Sequence, residues 1–252
     1  MTKIEDFFSL SNTVRNVSQV DKAQTADYLE PIKAFARSTY KSIYIIDYET
    51  KGFEYVSDNP LFLSGHTAKE VKEMGYSFYL KYVIEKDLDL LLKINTIGFE
   101  FYEKVPVEKR KDYTIAYDFH LKNQEGKTML INQKLTPLFL TEEGKLWKAI
   151  CFISLSTAQH SGNIKVYNKN DGLTLMYNLK RNIWESIEKI KLAKREKEII
   201  ELSTRGFTIN EIAETIFISP DTVKFHRRKL FEKLDVSTIS EAIAYVTNNK
   251  LL

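Results

Sequence analysis

Five basic side chains lie within a stretch of ten residues towards the C-terminal end of the chain, accompanied by a single acid. The basic residues are Lys224, Arg227, Arg228, Lys229 and Lys233, and the acid is Glu232. The net charge of +4 in this stretch exceeds the +3 of the whole chain, so the positive charge is concentrated there. Such a cluster is typical of a surface that binds phosphate groups, but a solvated helix face has the same composition.

A helix through this cluster would have two chemically different faces. One face is an apolar stripe made of Val223, Leu230, Phe231 and Leu234. The opposite face carries Asp221, Lys224, Phe225 and Arg228 at helical spacing. An exposed aromatic ring between two cations is unfavourable in water, whereas the major groove of DNA offers acceptors to Lys and Arg and thymine methyl groups to Phe. This face therefore has the residue types that read base edges in DNA.

Start and stop signals around the cluster predict four helices between residues 192 and 252. The first helix, Arg195–Leu202, is followed by Gly206, a typical C-terminal stop. The starts of the other three are marked by Thr208 with Glu211, Ser219 with Pro220, and Thr238 with Glu241. A short helix, a tight turn and a longer basic helix form the helix-turn-helix layout, in which the longer helix enters the major groove.

Four segments with this spacing resemble the LuxR-type helix-turn-helix family. They are LAKREKEIIEL at 192–202, GFTINEIAE at 206–214, ISPDTVKFHR at 218–227 and KL at 233–234. The resemblance covers about a quarter of the chain. It implies a four-helix domain that binds double-stranded DNA, usually as a homodimer.

The same resemblance assigns roles to individual side chains. It implies that Lys224, Phe225 and Arg228 face the bases. It places Thr222, His226 and Arg227 near phosphates, and it has Thr208 and Asn210 hold the DNA backbone from the second helix. His226 borders the apolar stripe and has packing as its alternative role, and Arg227 has pairing with an acid as its alternative.

The start of the first helix departs from the family pattern. The family usually has Ser or Thr where this chain has Ala193, and Ala is a poor N-cap. Before it, Leu179, Ile183, Ile187 and Ile190 recur at spacings of four, four and three, which predicts a connecting helix over residues 178–191. We therefore expect one unbroken helix that joins the C-terminal domain stiffly to the region before it.

The region before residue 178 has the pattern of an antiparallel sheet with helices. Residues 1–40 predict a helical segment, and strands are predicted at 42–47, 53–56, 113–121, 128–140 and 146–156, with a hairpin over 163–177. The residues between the second and third strands predict short helices. This order resembles a PAS domain, as do the segments Tyr55–Gly65 and Gly126–Pro137. The fold class predicted for the chain is α+β, with a PAS-like domain at 41–177, the connecting helix, and an all-α domain at 192–252.

PAS domains hold a small molecule or a protein partner between the sheet and the helical middle. Five aromatic residues are therefore candidate pocket residues: Phe62, Tyr76, Phe78, Tyr79 and Tyr82. Simple core packing is the alternative for each of them. The sequence leaves two alternatives for the region, a sensor of a small molecule and a module that binds another protein.

Several classes of function lack a signal in the sequence. His66, His120 and His160 are too scattered for a metal site, and no nucleophile, phosphate loop or carboxylate pair stands out. We expect no catalytic role, no metal and no cofactor. Cys151 is the only cysteine, which precludes an internal disulfide. No apolar run approaches the ~20 residues that span a membrane, so we expect a cytoplasmic protein.

Overall fold

In the computed structural model the chain divides into two compact units, Met1–Ile187 and Glu188–Leu252. The structure describes residues 2–9, 11–15, 17–23, 25, 27–168, 170, 174–187, 190–249 and 251–252. Across these ranges, no helix is both long and apolar enough to cross a membrane.

The N-terminal unit is built on one antiparallel sheet. Its strands are β1 (Ser42–Asp47), β2 (Gly52–Val56), β3 (Tyr113–Lys122), β4 (Thr128–Leu140), β5 (Leu146–Leu155), β6 (Gly162–Asn168), β7 (Thr174–Asn178) and β8 (Ile183–Ser186). They lie in the order β2-β1-β5-β4-β3-β6-β7-β8. The first five strands match the predicted PAS-like arrangement. The hairpin predicted at 163–177 is confirmed in its strands β6 and β7, while Asp171 and Gly172 of its turn lie outside the described residues.

Helices precede and interrupt this sheet. Residues 1–40 contain a 3-10 helix at Ile4–Phe7, α1 (Gln19–Ala23) and α2 (Leu29–Arg37). Between β2 and β3 lie 3-10 helices at Pro60–Phe62 and Val107–Asp112 and the helices α3 (Ala68–Met74), α4 (Ser77–Tyr82) and α5 (Glu85–Lys104). The helical middle predicted from the sequence is therefore present, and it covers one face of the sheet.

Strand β1 is buried along its whole length because both faces of the sheet are covered there. Tyr44 and Ile46 belong to the main apolar core with the helices. On the other face, Phe35 of α2 packs edge-on against Phe152 of β5, with ring centroids 6.2 Å apart. Helix α2 therefore shields the outer face near β5.

The prediction of a connecting helix over residues 178–191 is wrong for its described residues, 178–187 and 190–191, while residues 188 and 189 lie outside the described residues. Asn178 ends β7, and β8 follows after a tight turn. The Asn178 side chain accepts hydrogen bonds from the backbone N–H groups of Lys180 and Arg181, both at 3.1 Å, and Asn182 adopts a left-handed φ of 53°. Asparagine favours both of these turn features, so local turn chemistry overrides the helical spacing of the apolar residues.

The C-terminal unit contains the four predicted helices. They are α6 (Lys194–Thr204), α7 (Ile209–Thr215), α8 (Pro220–Leu234) and α9 (Ile239–Asn248). Leu230 and Leu234 pack with residues of α6 and α9, whereas Val223 packs with residues of α6 and α7. Helix α8 thus buries one stripe along its whole length and exposes residues of the opposite stripe.

Candidate nucleic-acid interface and buried cavity

Two side-chain caps fix where α7 and α8 begin. The Thr208 hydroxyl accepts from the backbone N–H of Glu211, and the Glu211 carboxylate accepts from the backbone N–H of Thr208 at 2.7 Å. The hydrogen bonds that the Glu211 carboxylate accepts from the backbone N–H and the hydroxyl of Thr208 lower the pKa of that carboxyl. At the next helix, the Ser219 hydroxyl accepts from the backbone N–H of Thr222 at 3.1 Å. The capping residues that the sequence indicated therefore set where α8 begins.

The exposed face of α8 combines two cations with an aromatic ring. Lys224, Phe225 and Arg228 are all exposed, and Phe225 retains 43% of its surface. The Arg228 guanidinium lies 5.7 Å and the Lys229 ammonium 4.7 Å from the centre of the Phe225 ring. Cation–π contacts of this kind hold the two cations beside the ring.

One acid shares this face. The Lys224 ammonium lies 3.0 Å from the Asp221 carboxylate, and both side chains are largely exposed. An exposed pair of this kind contributes little to stability. Lys224 can therefore leave Asp221 for a phosphate or a base at small cost.

The other predicted DNA contacts lie around the edges of this face. Thr208, which caps α7, and Asn210 in its first turn are both exposed. Thr222 is half-buried, and its hydroxyl shares a 2.8 Å hydrogen bond with that of Ser219. His226 is half-buried beside the Phe225 ring, and the Arg227 guanidinium lies 5.7 Å from the ring of Phe231. Their roles towards DNA stay predictions.

The N-terminal unit contains a cavity of about 50 Å³ between the helices and the sheet. Its walls include Tyr76, Leu91 and Ile94 on the helical side and Ile46, Tyr117 and Gln133 on the strand side. A water molecule needs roughly 10–15 Å³ of such space, so the cavity has room for a few waters or for one small ring.

The five predicted pocket residues divide into two groups. Tyr76 and Tyr79 line the cavity, whereas Phe62, Phe78 and Tyr82 are buried outside its lining. Phe62 stacks on Tyr44 at 4.2 Å between ring centroids, and it also contacts Phe78. The hydroxyl of Tyr82 forms a hydrogen bond with the ring of His66. These three aromatic residues hold the helical middle together and do not line the cavity.

The tyrosines of the cavity are uncharged at neutral pH. Burial raises the pKa of the Tyr76, Tyr79 and Tyr117 hydroxyls well above the ordinary value. The hydroxyls of Tyr79 and Tyr44 share a hydrogen bond of 2.5 Å. The cavity is therefore a neutral space with a few oriented polar groups.

Tyr117 and Gln133 also line the cavity and were not among the candidate pocket residues, which all lie in the helical middle. They are register partners on β3 and β4. Gln133 lies between Ile131 and Leu135 on the same face of β4. Ile131 belongs to the apolar core and Leu135 packs against it. A glutamine at a core-facing strand position was a usable signal, because buried polar residues are uncommon.

The family described as bacterial regulatory proteins, luxR family, matches residues 191–246. Over 66 residues the chain is 39% identical to the CsgBAC operon transcriptional regulatory protein of Escherichia coli (strain K12), which covers 26% of this chain and 31% of that protein. Over 61 residues it is 39% identical to the oxygen regulatory protein NreC of Staphylococcus carnosus (strain TM300), covering 24% and 28%. The C-terminal unit is a LuxR-type helix-turn-helix domain. The match spans less than a third of the length of either relative.

Two solved structures are similar over longer stretches at low identity. A Vibrio cholerae VqmA dimer is 17% identical with a TM-score of 0.36, over 88% of both chains. A PAS domain of a protein from Colwellia psychrerythraea is 11% identical with a TM-score of 0.39, over 52% of this chain and 98% of that one. The PAS-like description of the N-terminal unit depends on its strand order and on the helices between β2 and β3.

The LuxR-type domain has a different start from the one that its sequence suggested. The carboxylate of Glu196 accepts from the backbone N–H of Ala193 at 2.7 Å, so α6 is capped without a Ser or Thr. The same carboxylate binds the Lys233 ammonium, which removes Lys233 from the cations available to DNA. In a capping box, a Glu three residues after the N-cap accepts from the backbone N–H of the N-cap residue. Glu196 has this spacing from Ala193, so the sequence alone could have indicated this half of the motif.

Proposed function

We propose that this protein is a transcription regulator that binds specific sequences of double-stranded DNA through α8. The observation that carries the proposal is the exposed face of Lys224, Phe225 and Arg228 on a helix whose opposite stripe is buried. Lys224 and Arg228 donate to base acceptors and Phe225 contacts thymine methyl groups. Thr208, Asn210, Thr222, His226 and Arg227 contact the DNA backbone on either side.

The DNA test compares two neighbours on α8. A binding site selected from random duplexes is titrated with the parent protein at several salt concentrations. Arg228→Ala is expected to lose on the order of 1–3 kcal/mol of specific binding and to relax the preference at one base position. Arg227→Ala is expected to weaken all sequences alike and to reduce the salt dependence, because it removes a phosphate contact.

A control variant corrects for charge alone. The Lys69 side chain in the N-terminal unit is 85% exposed, so Lys69→Ala removes one positive charge without touching α8. It should bind the selected site like the parent. If Lys224→Ala and Arg228→Ala also bind like the parent at every salt concentration, the assignment of α8 is wrong.

The protein is expected to act as a homodimer on repeated half-sites. One helix-turn-helix domain contacts only a few base pairs, which gives too little discrimination in a genome. Sedimentation of the protein with a duplex carrying one or two half-sites measures the stoichiometry. Equal affinity for both duplexes would contradict the dimer.

The N-terminal unit is proposed to control DNA binding in response to a small molecule. The cavity beside Tyr76, Tyr117 and Gln133 supports this role, because an internal space lined by neutral polar groups suits a ligand. Native mass spectrometry of the protein purified from its own cells tests it. A bound small molecule that dissociates on unfolding supports sensing, whereas an additional polypeptide in the complex supports the alternative of a protein partner.

A further inference from the structure

One carboxylate lies among the side chains that are proposed to contact base edges. Asp221 belongs to the first turn of α8, on the same face as Lys224 and Arg228, and its side chain is 88% exposed. The phosphates of DNA repel a carboxylate in this position. Asp221 therefore weakens binding to every sequence alike unless a base offers it a donor.

Helix capping does not account for Asp221. The Ser219 hydroxyl already accepts from the backbone N–H of Thr222, and among the described residues the Asp221 carboxylate accepts from no backbone N–H. What remains is the interaction of an acid with the helix dipole, which is small at an exposed site and is screened by salt.

Asp221 and Lys224 hold an acceptor and a donor side by side. Oδ1 of Asp221 lies 3.0 Å from Nζ of Lys224. The ammonium has three N–H donors and the carboxylate has a second oxygen, so each group can take a further partner without leaving the other. The pair therefore offers the groove an acceptor next to a donor.

The major-groove edge of a C·G base pair has the complementary pattern. Cytosine N4 donates and guanine O6 accepts, and the hydrogen bond between these two atoms holds them about 2.9 Å apart. This separation matches the 3.0 Å between the tips of Asp221 and Lys224. Guanine N7 gives the ammonium a second acceptor.

The other base pairs fit this pair of side chains less well. An A·T pair also has a donor beside an acceptor, but the lone pair of adenine N7 repels the carboxylate, and thymine gives the ammonium one acceptor and a methyl group. Reversing either base pair places an oxygen acceptor opposite the carboxylate. The combination of Asp221 with Lys224 therefore favours C·G in one orientation.

We propose that Asp221 determines specificity: its carboxylate accepts from cytosine N4 while Lys224 donates to the guanine of the same base pair. The proposal rests on the proposed DNA binding by α8 and adds the base pair that the start of this helix selects. The N-terminal residues of a recognition helix are the ones that contact base edges, and both side chains lie in the first two turns.

The test measures base preference at each position of the selected binding site. The full chain is titrated with duplexes that carry each of the four base pairs there, and one position per half-site should favour C·G by about tenfold. Asp221→Ala should reduce this preference to below about threefold and strengthen binding to the other duplexes, because the repulsion is removed. Asp221→Asn should move the preference at this position towards A·T, since an Asn amide pairs with adenine N6 and N7.

Lys224→Ala shows whether the two side chains contact the same base pair. It should alter the preference at the position that Asp221→Ala alters, and the two effects should not be additive in the double variant. The matched control is Glu201→Gln, because Glu201 is an exposed acid of α6 and the change removes the same charge as Asp221→Asn outside α8. It should leave the preference at every position unchanged.

Three results would overturn the proposal. They are an equal change in affinity for all duplexes in Asp221→Ala, altered preferences at different positions in Asp221→Ala and Lys224→Ala, and a preferred pair other than C·G at the shared position. Failure of the proposed function looks different. In that case the parent selects no sequence, or Arg228→Ala leaves every base preference unchanged.

Discussion

Glu196 and Lys233 join the first turn of α6 to the last turn of α8 through a salt bridge, with 2.6 Å between Oε2 and Nζ. Glu196 retains only 5% of its surface, and its carboxylate also caps α6 at Ala193. One buried carboxylate therefore fixes the start of one helix and the end of another.

Removing Lys233 should destabilise the C-terminal unit more than removing another lysine of α8. Lys233→Met leaves the Glu196 carboxylate buried without its cation, and we expect a loss of about 2 kcal/mol in the free energy of unfolding. Hydrogen exchange of α6 and α8 in the full chain measures it. Lys229→Met is the matched control, because Lys229 is exposed, and should change the free energy by less than about 0.5 kcal/mol. Equal effects of the two variants would contradict the structural role of Lys233.

The C-terminal helices were predictable because their signals are local. Thr208 and Ser219 each cap a helix within three residues of their own position, so neighbouring residue types were sufficient. The Glu196–Lys233 pair was not predicted, because its members are 37 positions apart and only the packing of α6 on α8 brings them together.

The errors in the N-terminal unit have the same origin. Leu179 and Ile183 have helical spacing, but Asn178 and Asn182 form a turn that the spacing does not reveal. The sequence also indicated which aromatic residues lie in the helical middle, but not which of them would line the cavity. Phe62 is excluded from the cavity because it stacks on Tyr44, a contact that depends on how the 3-10 helix at Pro60–Phe62 packs on β1.

The thiol of Cys151 should resist alkylation in the native protein. It is fully buried, and burial raises the pKa of the thiol to about 12. At pH 8 only about one molecule in 10⁴ would carry a thiolate even if the reagent could reach it. Iodoacetamide labelling followed by mass spectrometry should therefore show slow modification without denaturant and complete modification in guanidinium chloride. Labelling of the native protein at the rate of a free thiol would contradict this environment.

The N-terminal unit should lose stability as the pH rises through the titration of Asp118. Burial raises the pKa of this carboxyl, and hydrogen bonds from Asn132 and Asn163 oppose the shift in part. The folded protein therefore keeps a proton that the unfolded chain releases near its ordinary pKa of about 3.9, so stability is highest below that value and falls as the pH rises through the folded pKa. Lys165 is the cation that interacts with Asp118. Burial lowers the pKa of its ammonium and the charge of Asp118 opposes this shift, so Lys165 titrates as a second group at alkaline pH.

Asp118→Asn isolates this effect. Urea unfolding followed by the fluorescence of Trp147 and Trp184, both in the N-terminal unit, gives the free energy of unfolding at each pH. The decrease in stability from acidic to neutral pH should be smaller in the variant than in the parent. Parallel curves for the two proteins would show that Asp118 does not titrate differently in the folded state.

The N-terminal segment should open when Asn95 loses its amide. The carbonyl of Phe7 accepts from Asn95 Nδ2 and from Asn12 Nδ2, at 2.5 and 2.7 Å, while the Phe7 ring lines the cavity. Asn95→Ala removes one of these hydrogen bonds, which should lower the free energy of opening by about 1 kcal/mol and speed amide exchange of residues 4–8 about fivefold. Thr96→Ala is the matched control on the same helix, because the Thr96 hydroxyl donates to the carbonyl of Leu92 within α5. Faster exchange in both variants would indicate a general loosening of α5. It would contradict a specific role for the hydrogen bond between Asn95 and the Phe7 carbonyl.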